Sequence, residues 1–491
     1  MSNRRPDGYL RFSRQAIGYR EPGIRIKDFN EIYQETWQPH IMKNQGERCM
    51  DCGIPTCMSG CPLGNLIPDW NHLVSRDNWR EALYRLHATN NFPEFTGYTC
   101  PAPCEPACTL AINDEAVTIK SIERSIVDTG WDNGWIVPEP PLRRTPYQVA
   151  IVGSGPCGLA AAQQLNRVGH NVTVFERDDT IGGLMTYGIP DFKFAKYQVQ
   201  RRVKQLAAEG IKFEINTEIG SDLPLSELGE NFDAVCLAIG GQTPRDIVIP
   251  GRDFDGVEFG LPYLIQENRH QAGNTNTVKK IDAKGRQVLV LGGGDTGADC
   301  VATAIRQGAD NVIQIDINTK RPLERPAENP WPESPITFER TYAQHEGSTD
   351  IYGFEALEFK ADSDGRVCAI HGQNVTWRYS SKHKRLDKTV GERVDILADL
   401  VLIAIGFSGA EASPFLGDNV KISEKGTIQI NTHMQTNLAG IFAAGDANTG
   451  QSIVVCAIGE GRDVARSIDI YLTGDSQLPP SLRTRNGGLD W

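Results

Sequence analysis

YQVAIVGSGPCGLAAAQQLNRVGHNVTVFER, residues 147–177, runs through strand, glycine turn, helix and strand in succession. A short apolar run, Val149–Val152, ends at glycine, an Ala- and Leu-rich stretch of helical character follows, and a second β-branched run closes at Glu176. Gly153, Gly155 and Gly158 supply GxGxxG between strand and helix, with Pro156 inside the motif. In such a turn the first glycine permits the tight reversal, the second lets the backbone approach a pyrophosphate, and the third lets helix and strand pack closely. The helix N-terminus adds free N–H donors and the positive end of its dipole. Glu176 stands where a carboxylate accepts hydrogen bonds from ribose hydroxyls. Glycines serving only a tight βα turn would not need the acidic residue. The motif alone does not choose between FAD and NAD.

The same order of elements returns at 287–317, QVLVLGGGDTGADCVATAIRQGADNVIQIDI, with Gly292, Gly294 and Gly297 as GxGxxG and Asp295 and Thr296 at the start of the helix. Two such units imply two doubly wound dinucleotide-binding domains, in tandem or one inserted in the other. Asp316, near the end of the second strand of this unit, would favour a ribose hydroxyl over a 2′-phosphate. Lys320, Arg321 and Arg325 follow in INTKRPLERPAENPWP and could pair with such a phosphate, or form a solvated charged loop. At 491 residues the chain is long enough for two or three domains.

Upstream, the Pro-rich VPEPPLRRTP at 137–146 marks a linker. Before it, apolar positions at helical spacing from about residue 70 to 92, and INDEAVTIKSIERSIVD as a turn and a further helix, predict a helical domain. Seven of the twelve cysteines, at 49, 52, 57, 61, 100, 104 and 108, fall within it. Their spacing is CxxCxxxxCxxxCP, then CPxxCxxxC. Thiolates converging from irregular backbone, with proline after a ligand cysteine, suit an iron–sulfur cluster. Zinc also accepts four thiolates, but it has no redox chemistry to share with two neighbouring dinucleotide sites, and the paired CxxC form usual for it is not followed. The single cysteines 157, 236, 300, 368 and 456 are expected to be small packing residues.

Lys and Arg total 50 against 62 Asp and Glu, a net charge of −12, which argues against nucleic acid or an anionic membrane as the main partner. No apolar run reaches the roughly 18 residues of a membrane span, and MSNRRPDGYLRFSR lacks the apolar core of a secretory signal, so a cytoplasmic location is expected. In that compartment twelve cysteines are not expected to form a disulfide framework.

Two further features narrow the cofactor. Ile181–Gly182–Gly183–Leu184 follows the first acidic residue, and Gly445–Asp446 follows the apolar run 440–444. With the first glycine motif these resemble the flavoproteins that have two dinucleotide domains, in which a late Gly–Asp closes the FAD site. More widely, RCMDCGIPTCMSGCPLGNLIPDWN, TGYTCPAPCEPACTLAINDEAVTIKSIE, GSGPCGLAAA, GGLMTYGIPDFK, GGGDTGADC and GDANTGQSIVVCAIGEG resemble, along almost the whole chain, the family of small (beta) subunits of NADPH-dependent glutamate synthase. The first two blocks are specific to this reductase module, which also occurs within dihydropyrimidine dehydrogenase and bifurcating transhydrogenases. Thr56 and Met58 depart from the aromatic and histidine common there, and Cys456 from a frequent tryptophan.

The resemblance implies an α/β fold: a helical iron–sulfur domain at 1–145, then two Rossmann-like domains, an FAD domain in two parts at 146–260 and 411–491 with an NADPH domain inserted at 261–410. It implies FAD at Gly153, Gly155, Pro156, Gly158, Glu176, Gly183, Leu184, Gly445, Asp446 and Ile453, and NADPH at Gly292, Gly294, Asp295, Thr296, Gly297, Lys320 and Arg321. It implies two 4Fe–4S clusters, one on Cys49, Cys52, Cys57 and Cys108, the other on Cys61, Cys100, Cys104 and Glu123. No side chain is required as catalytic acid or base for hydride transfer. The expected partner is a large (alpha) subunit that makes L-glutamate from L-glutamine and 2-oxoglutarate. The same reductase serving a different partner, and a zinc-stabilised scaffold, are the alternatives; a disulfide reductase is disfavoured because neither dinucleotide domain has a CxxC pair.

Overall fold

The computed structural model describes residues 7–34, 39–274, 280–380, 385–410 and 420–481. The first glycine motif lies between β1 (Gln148–Val152) and the helix Pro156–Arg167, followed by β2 (Asn171–Phe175), β3 (Lys212–Glu214) and β4 (Ala234–Leu237). β1 is buried at four of its five residues, the pattern of a strand covered on both faces. Next come β5 (Val257–Phe259), β6 (Gln287–Leu291), β7 (Asn311–Asp316), β8 (Thr349–Tyr352), β9 (Phe354–Ala361), β10 (Val367–Ser380), β11 (Arg385–Leu397), β12 (Leu400–Ile403) and β13 (Ile441–Ala443).

These strands form two five-stranded parallel sheets, in the orders β13-β4-β1-β2-β3 and β5-β12-β6-β7-β8, and an antiparallel sheet β11-β10-β9. The whole second sheet falls in sequence between β4 and β13, so the second unit is an insertion in the first. β5 pairs with β12, which places Val257–Phe259 in the second sheet and ends the 146–260 stretch inside the inserted unit. A strand of three residues carries too little apolar pattern to be assigned from sequence. The 410/411 boundary adjoins residues 411–419, outside the described residues.

The N-terminal region is helical. The apolar pattern from 70 to 92 resolves into two helices, Ile67–Ser75 and Trp79–Thr89, because the chain reverses at Asp77, whose φ is +64°. Pro93–Thr99 and Ile119–Asp132 follow. This region packs directly on the first dinucleotide unit. Arg202 forms a two-pronged pair with Glu94, Nε to Oε1 at 2.6 Å and Nη2 to Oε2 at 2.8 Å, with both side chains essentially inaccessible. Arg462 donates to Asn91 Oδ1 at 2.7 Å and to the Ala88 carbonyl at 3.0 Å. The 137–146 linker is held at its C-terminal end, where Arg144 donates to Asn166 Oδ1 and the His170 carbonyl. Among the described residues no helix is long and apolar enough to cross a membrane.

Candidate functional site: two dinucleotide loops and a cysteine cavity

The two glycine loops repeat one geometry. At Gly153, with φ +101°, a Cβ would lie 2.5 Å from the Ala238 carbonyl oxygen of β4's extension; at Gly292, with φ +133°, it would lie 2.1 Å from that of Ala404. Both first glycines therefore allow a turn wedged against the neighbouring strand. A Cβ on Gly158 or Gly297 would lie 2.0 or 2.2 Å from the carbonyl oxygen of the first glycine in its own loop. At Gly155 and Gly294 it would meet nothing within 4 Å, so at each loop the middle glycine faces open space where a pyrophosphate has room. Pro156 and Asp295 open helices of 12 and 13 residues, with Thr296 and Gly297 in the first turn of the second, so that unpaired N–H groups point at that space. The residues present fit two dinucleotides.

Glu176 is buried and accepts from Ser154 N at 3.1 Å and from Ser154 Oγ at 2.5 Å on Oε2, and from Asp178 N at 3.0 Å on Oε1. Gly182 N donates to the same serine hydroxyl at 2.9 Å. The Gly182–Gly183 turn thus closes on the first loop, and a Cβ on Gly183 would lie 3.0 Å from Gly155 Cα. Leu184 begins the short helix Leu184–Tyr187 with half its surface exposed. Gly445, far downstream, joins the same group: a Cβ there would meet Cys157 at 3.0 Å, and its N–H donates to Glu460 Oε2 at 2.8 Å. Asp446 accepts from Ser452 N and Oγ, and burial pushes its carboxyl up to about 6. Ile453 is the N-cap of the helix Val454–Thr473. Ser154 and Glu460 were not legible as site residues; the one visible signal was an acid within the small and apolar stretch CAIGEG.

In the inserted unit Asp316 lies against the glycine loop, so that a Cβ on Gly293 would fall 2.2 Å from its Oδ2. Lys320 and Arg321 are exposed just beyond β7, with Lys320 Nζ 4.3 Å from the Phe338 ring centroid. Arg325 is occupied within its own loop by the carbonyls of Asn329 and Glu333.

The cysteines divide into two groups. Cys61, Cys100, Cys104 and Glu123 line one cavity, with Trp70, Thr96 and Val455 also in its wall. Burial pushes the Cys61 thiol up to about 12 and raises Cys100 and Cys104 as well. Glu123 is pushed up to about 7 by burial, although Thr96 Oγ1 at 2.6 Å and Asn90 Nδ2 at 2.9 Å both donate to its Oε1. Three thiols and a carboxyl held without a cation are costly in their charged forms, and a cationic iron centre removes that cost. Cys57 belongs to the other group: its thiol is raised by burial and then by the nearby Cys49, Cys108 and Cys52. The loops carrying this group are joined by Thr56 Oγ1 and Thr109 Oγ1 at 3.2 Å. Cys52 is partly exposed and the other six thiols are buried. None of the twelve cysteines is in a disulfide, and of the five single ones Cys368 is partly exposed rather than packed away, since it lies on β10 of the antiparallel sheet. Among the described residues no three His, Cys, Asp or Glu converge tightly enough for a single metal ion. Four thiols, and three thiols with a carboxylate, are donor sets of the kind an iron–sulfur cluster takes, so the residues present fit clusters.

The helix Val454–Thr473 connects the two kinds of site. Its N-cap follows the Gly445–Asp446 loop, Val455 lines the cysteine cavity, and a Cβ on Gly459 would lie 3.7 Å from Leu63 and 3.9 Å from the Pro62 carbonyl. On its other side Gly461 packs on the first nucleotide helix, at Cys157 and Ala160.

Comparison with known proteins agrees with this division. Residues 25–135 match the family described as dihydropyrimidine dehydrogenase domain II, 4Fe-4S cluster, and residues 147–331 and 356–461 match the pyridine nucleotide-disulphide oxidoreductases. The glutamate synthase [NADPH] small chain of Bacillus subtilis is 47% identical, covering 97% of this chain and 100% of its own. That of Mycobacterium tuberculosis is 46% identical, covering 97% and 98%. The chain belongs to the glutamate synthase small-chain family. A glutamate synthase [NADH] of Schizosaccharomyces pombe is 43% identical over 96% of this chain, which matches 23% of that longer protein. Among solved structures, Mycobacterium tuberculosis FprA in complex with NADPH shares the fold at a TM-score of 0.54 and 20% identity, over 67% of this small chain and 85% of FprA. The iron–sulfur domain and the two dinucleotide units of a glutamate synthase small chain are thus both present and in the expected order.

Proposed function

We propose that this chain is the electron-input subunit of a cytoplasmic glutamate synthase, oxidising NADPH and delivering the electrons to a large subunit that makes L-glutamate from L-glutamine and 2-oxoglutarate. The observation that carries this reading is the single helix Val454–Thr473, which starts at the Gly445–Asp446 loop and contributes Val455 to the wall of the cavity holding Cys61, Cys100, Cys104 and Glu123. When bound, FAD supplies hydride acceptance and release in single-electron steps, and 4Fe–4S clusters supply one-electron carriage.

The chain's own residues bind and orient. Gly153, Gly155 and Gly158 shape the loop around the FAD pyrophosphate, Pro156 starts the helix whose first-turn N–H groups face it, Glu176 meets the ribose, and Gly183, Leu184, Asp446 and Ile453 border the rest of the flavin site. Gly292, Gly294, Asp295, Thr296 and Gly297 do the same for NADPH, with Lys320 and Arg321 near enough along the chain to meet a 2′-phosphate. Cys49, Cys52, Cys57 and Cys108 hold one cluster; Cys61, Cys100, Cys104 and Glu123 hold the other. Buried walls exclude water from the second set, which favours electron passage over side reactions.

The test is anaerobic purification with flavin, iron and acid-labile sulfide counted per chain, then flavin bleaching by NADPH and by NADH. One flavin, about eight iron atoms for two cubane clusters and faster bleaching by NADPH are expected. Added large subunit should then make glutamate from glutamine and 2-oxoglutarate. A colourless, iron-free protein, or one active only with another acceptor, would overturn the proposal.

A further inference from the structure

Resting on the reading of two adjacent dinucleotide sites, we infer that Lys193 is a positioning residue for hydride transfer, locking the inserted nucleotide unit at a fixed distance and angle from the flavin unit. Lys193 lies in the first unit, in the stretch Gly188–Lys196 that follows the Gly182–Gly183 turn. Its Nζ donates to Asp299 Oδ1 at 2.8 Å, and Asp299 lies one turn inside the helix that the second glycine loop opens. Tyr342 OH donates to the same oxygen at 2.6 Å, and the Lys193 ammonium stands 5.3 Å from the Tyr342 ring centroid. The Lys193 and Asp299 side chains are 13% and 6% exposed, so the pair is nearly dry.

A buried ion pair adds little to stability over apolar residues of the same size, because desolvation offsets the attraction. What it does supply is geometric: two buried charges held on each other, with the Tyr342 hydroxyl on the same carboxylate oxygen, fix the separation of the surfaces bearing them. Hydride transfer demands such control, since reacting atoms must approach to roughly 3–3.5 Å and an error of about 1 Å costs on the order of a hundredfold.

The surroundings grip the same stretch from the same side. Asn268 of the inserted unit donates to the carbonyls of Tyr187 and Ile189 and accepts from Asp191 N. Arg306 lies 3.9 Å from the Phe192 ring centroid and pairs with Glu346, which also takes Arg25 of the N-terminal segment. Ile32 of that segment donates to the Phe192 carbonyl at 2.8 Å. Lys193 therefore sits at the middle of a contact in which three parts of the chain meet, and it supplies a nearly buried charge from the flavin unit, beside the more exposed pair of Asp178 with Arg269 at 3.0 Å.

The holoenzyme variants Lys193→Met with Asp299→Leu, which remove both charges, and Lys193→Arg, which keeps a cation, are compared with the parent by stopped-flow reduction of the flavin under anaerobic conditions. The double variant is expected to keep parental flavin and iron content and to bind NADP+ within about threefold, yet reduce its flavin at least tenfold more slowly; Lys193→Arg should restore most of the rate. Tyr342→Phe, which loses only one hydroxyl, gives a smaller slowing if the double variant fails to fold. Parental flavin reduction in the double variant, or in Tyr342→Phe if that alone folds, would overturn the assignment. So would a slowing matched by equal loss of NADP+ affinity or of flavin. If the parent itself is not bleached by NADPH, it is the functional reading that fails, separately from the role of Lys193.

Discussion

Gly155 and Gly158 differ by three positions and have opposite surroundings, open space at one and a carbonyl oxygen 2.0 Å from a Cβ at the other. Gly155 has φ −66°, which alanine adopts freely, so Gly155→Ala should leave stability within about 0.5 kcal/mol of the parent. It should nonetheless weaken flavin binding by roughly tenfold or more, about 1.4 kcal/mol, because the methyl occupies the space left for the pyrophosphate. Gly158→Ala should instead cost about 1–3 kcal/mol in folding by forcing helix from strand. Denaturant unfolding and flavin titration separate the two, and parental flavin affinity in Gly155→Ala would remove the pyrophosphate from that loop. At this scale much was legible: the glycines and thiols are written in fixed spacings, because each answers a local demand of backbone or metal. The residues that hold them were not. Asn90 and Thr96 fix Glu123, and Ser154 fixes Glu176, through contacts that only the packed fold creates.

The helix Val454–Thr473 bears on both redox regions, and its two inner glycines differ in what they permit. A Cβ on Gly461 would lie 2.2 Å from the Cys157 carbonyl oxygen and 2.9 Å from Ala160 Cβ, whereas one on Gly459 would meet only ordinary contacts. Gly461→Val is expected to push this helix off Pro156–Arg167, costing about 1–3 kcal/mol, and to lower flavin and iron content together. Gly459→Ala should alter neither. Flavin and iron per chain measure this; loss of flavin with iron fully retained would show that the helix does not couple the sites. Elements with long, regular patterns, such as β1, β6 and the helices after them, could be read in advance. The three residues of β5 and the reversal at Asp77 could not, since their placement is set by tertiary pairing and one unusual φ.

Across the whole molecule, the join between the helical region and the first dinucleotide unit is a buried surface with ions in it. Arg202→Met would strand Glu94 without its cation and is expected to cost about 3–5 kcal/mol, while Arg202→Met with Glu94→Leu should recover most of that loss. Denaturant unfolding of the three proteins checks the order, and a single variant as stable as the parent would show that the join is not held there. The insertion of one unit within another was visible only as a late Gly–Asp far from its partners in sequence. The reason is that β13 returns to the first sheet beside β4 after the whole second sheet has been built. The short helix Thr56–Ser59 shows how little slack such an arrangement leaves: it carries Cys57 toward Cys49, Cys52 and Cys108, and just past it Cys61 enters the other cavity. Each helical residue rotates the chain by about 100°. One codon gained or lost between these thiols would aim Cys61 away from its companions while leaving both glycine motifs intact. Decayed copies of such a gene would therefore be told from working ones by counting the letters between two cysteines.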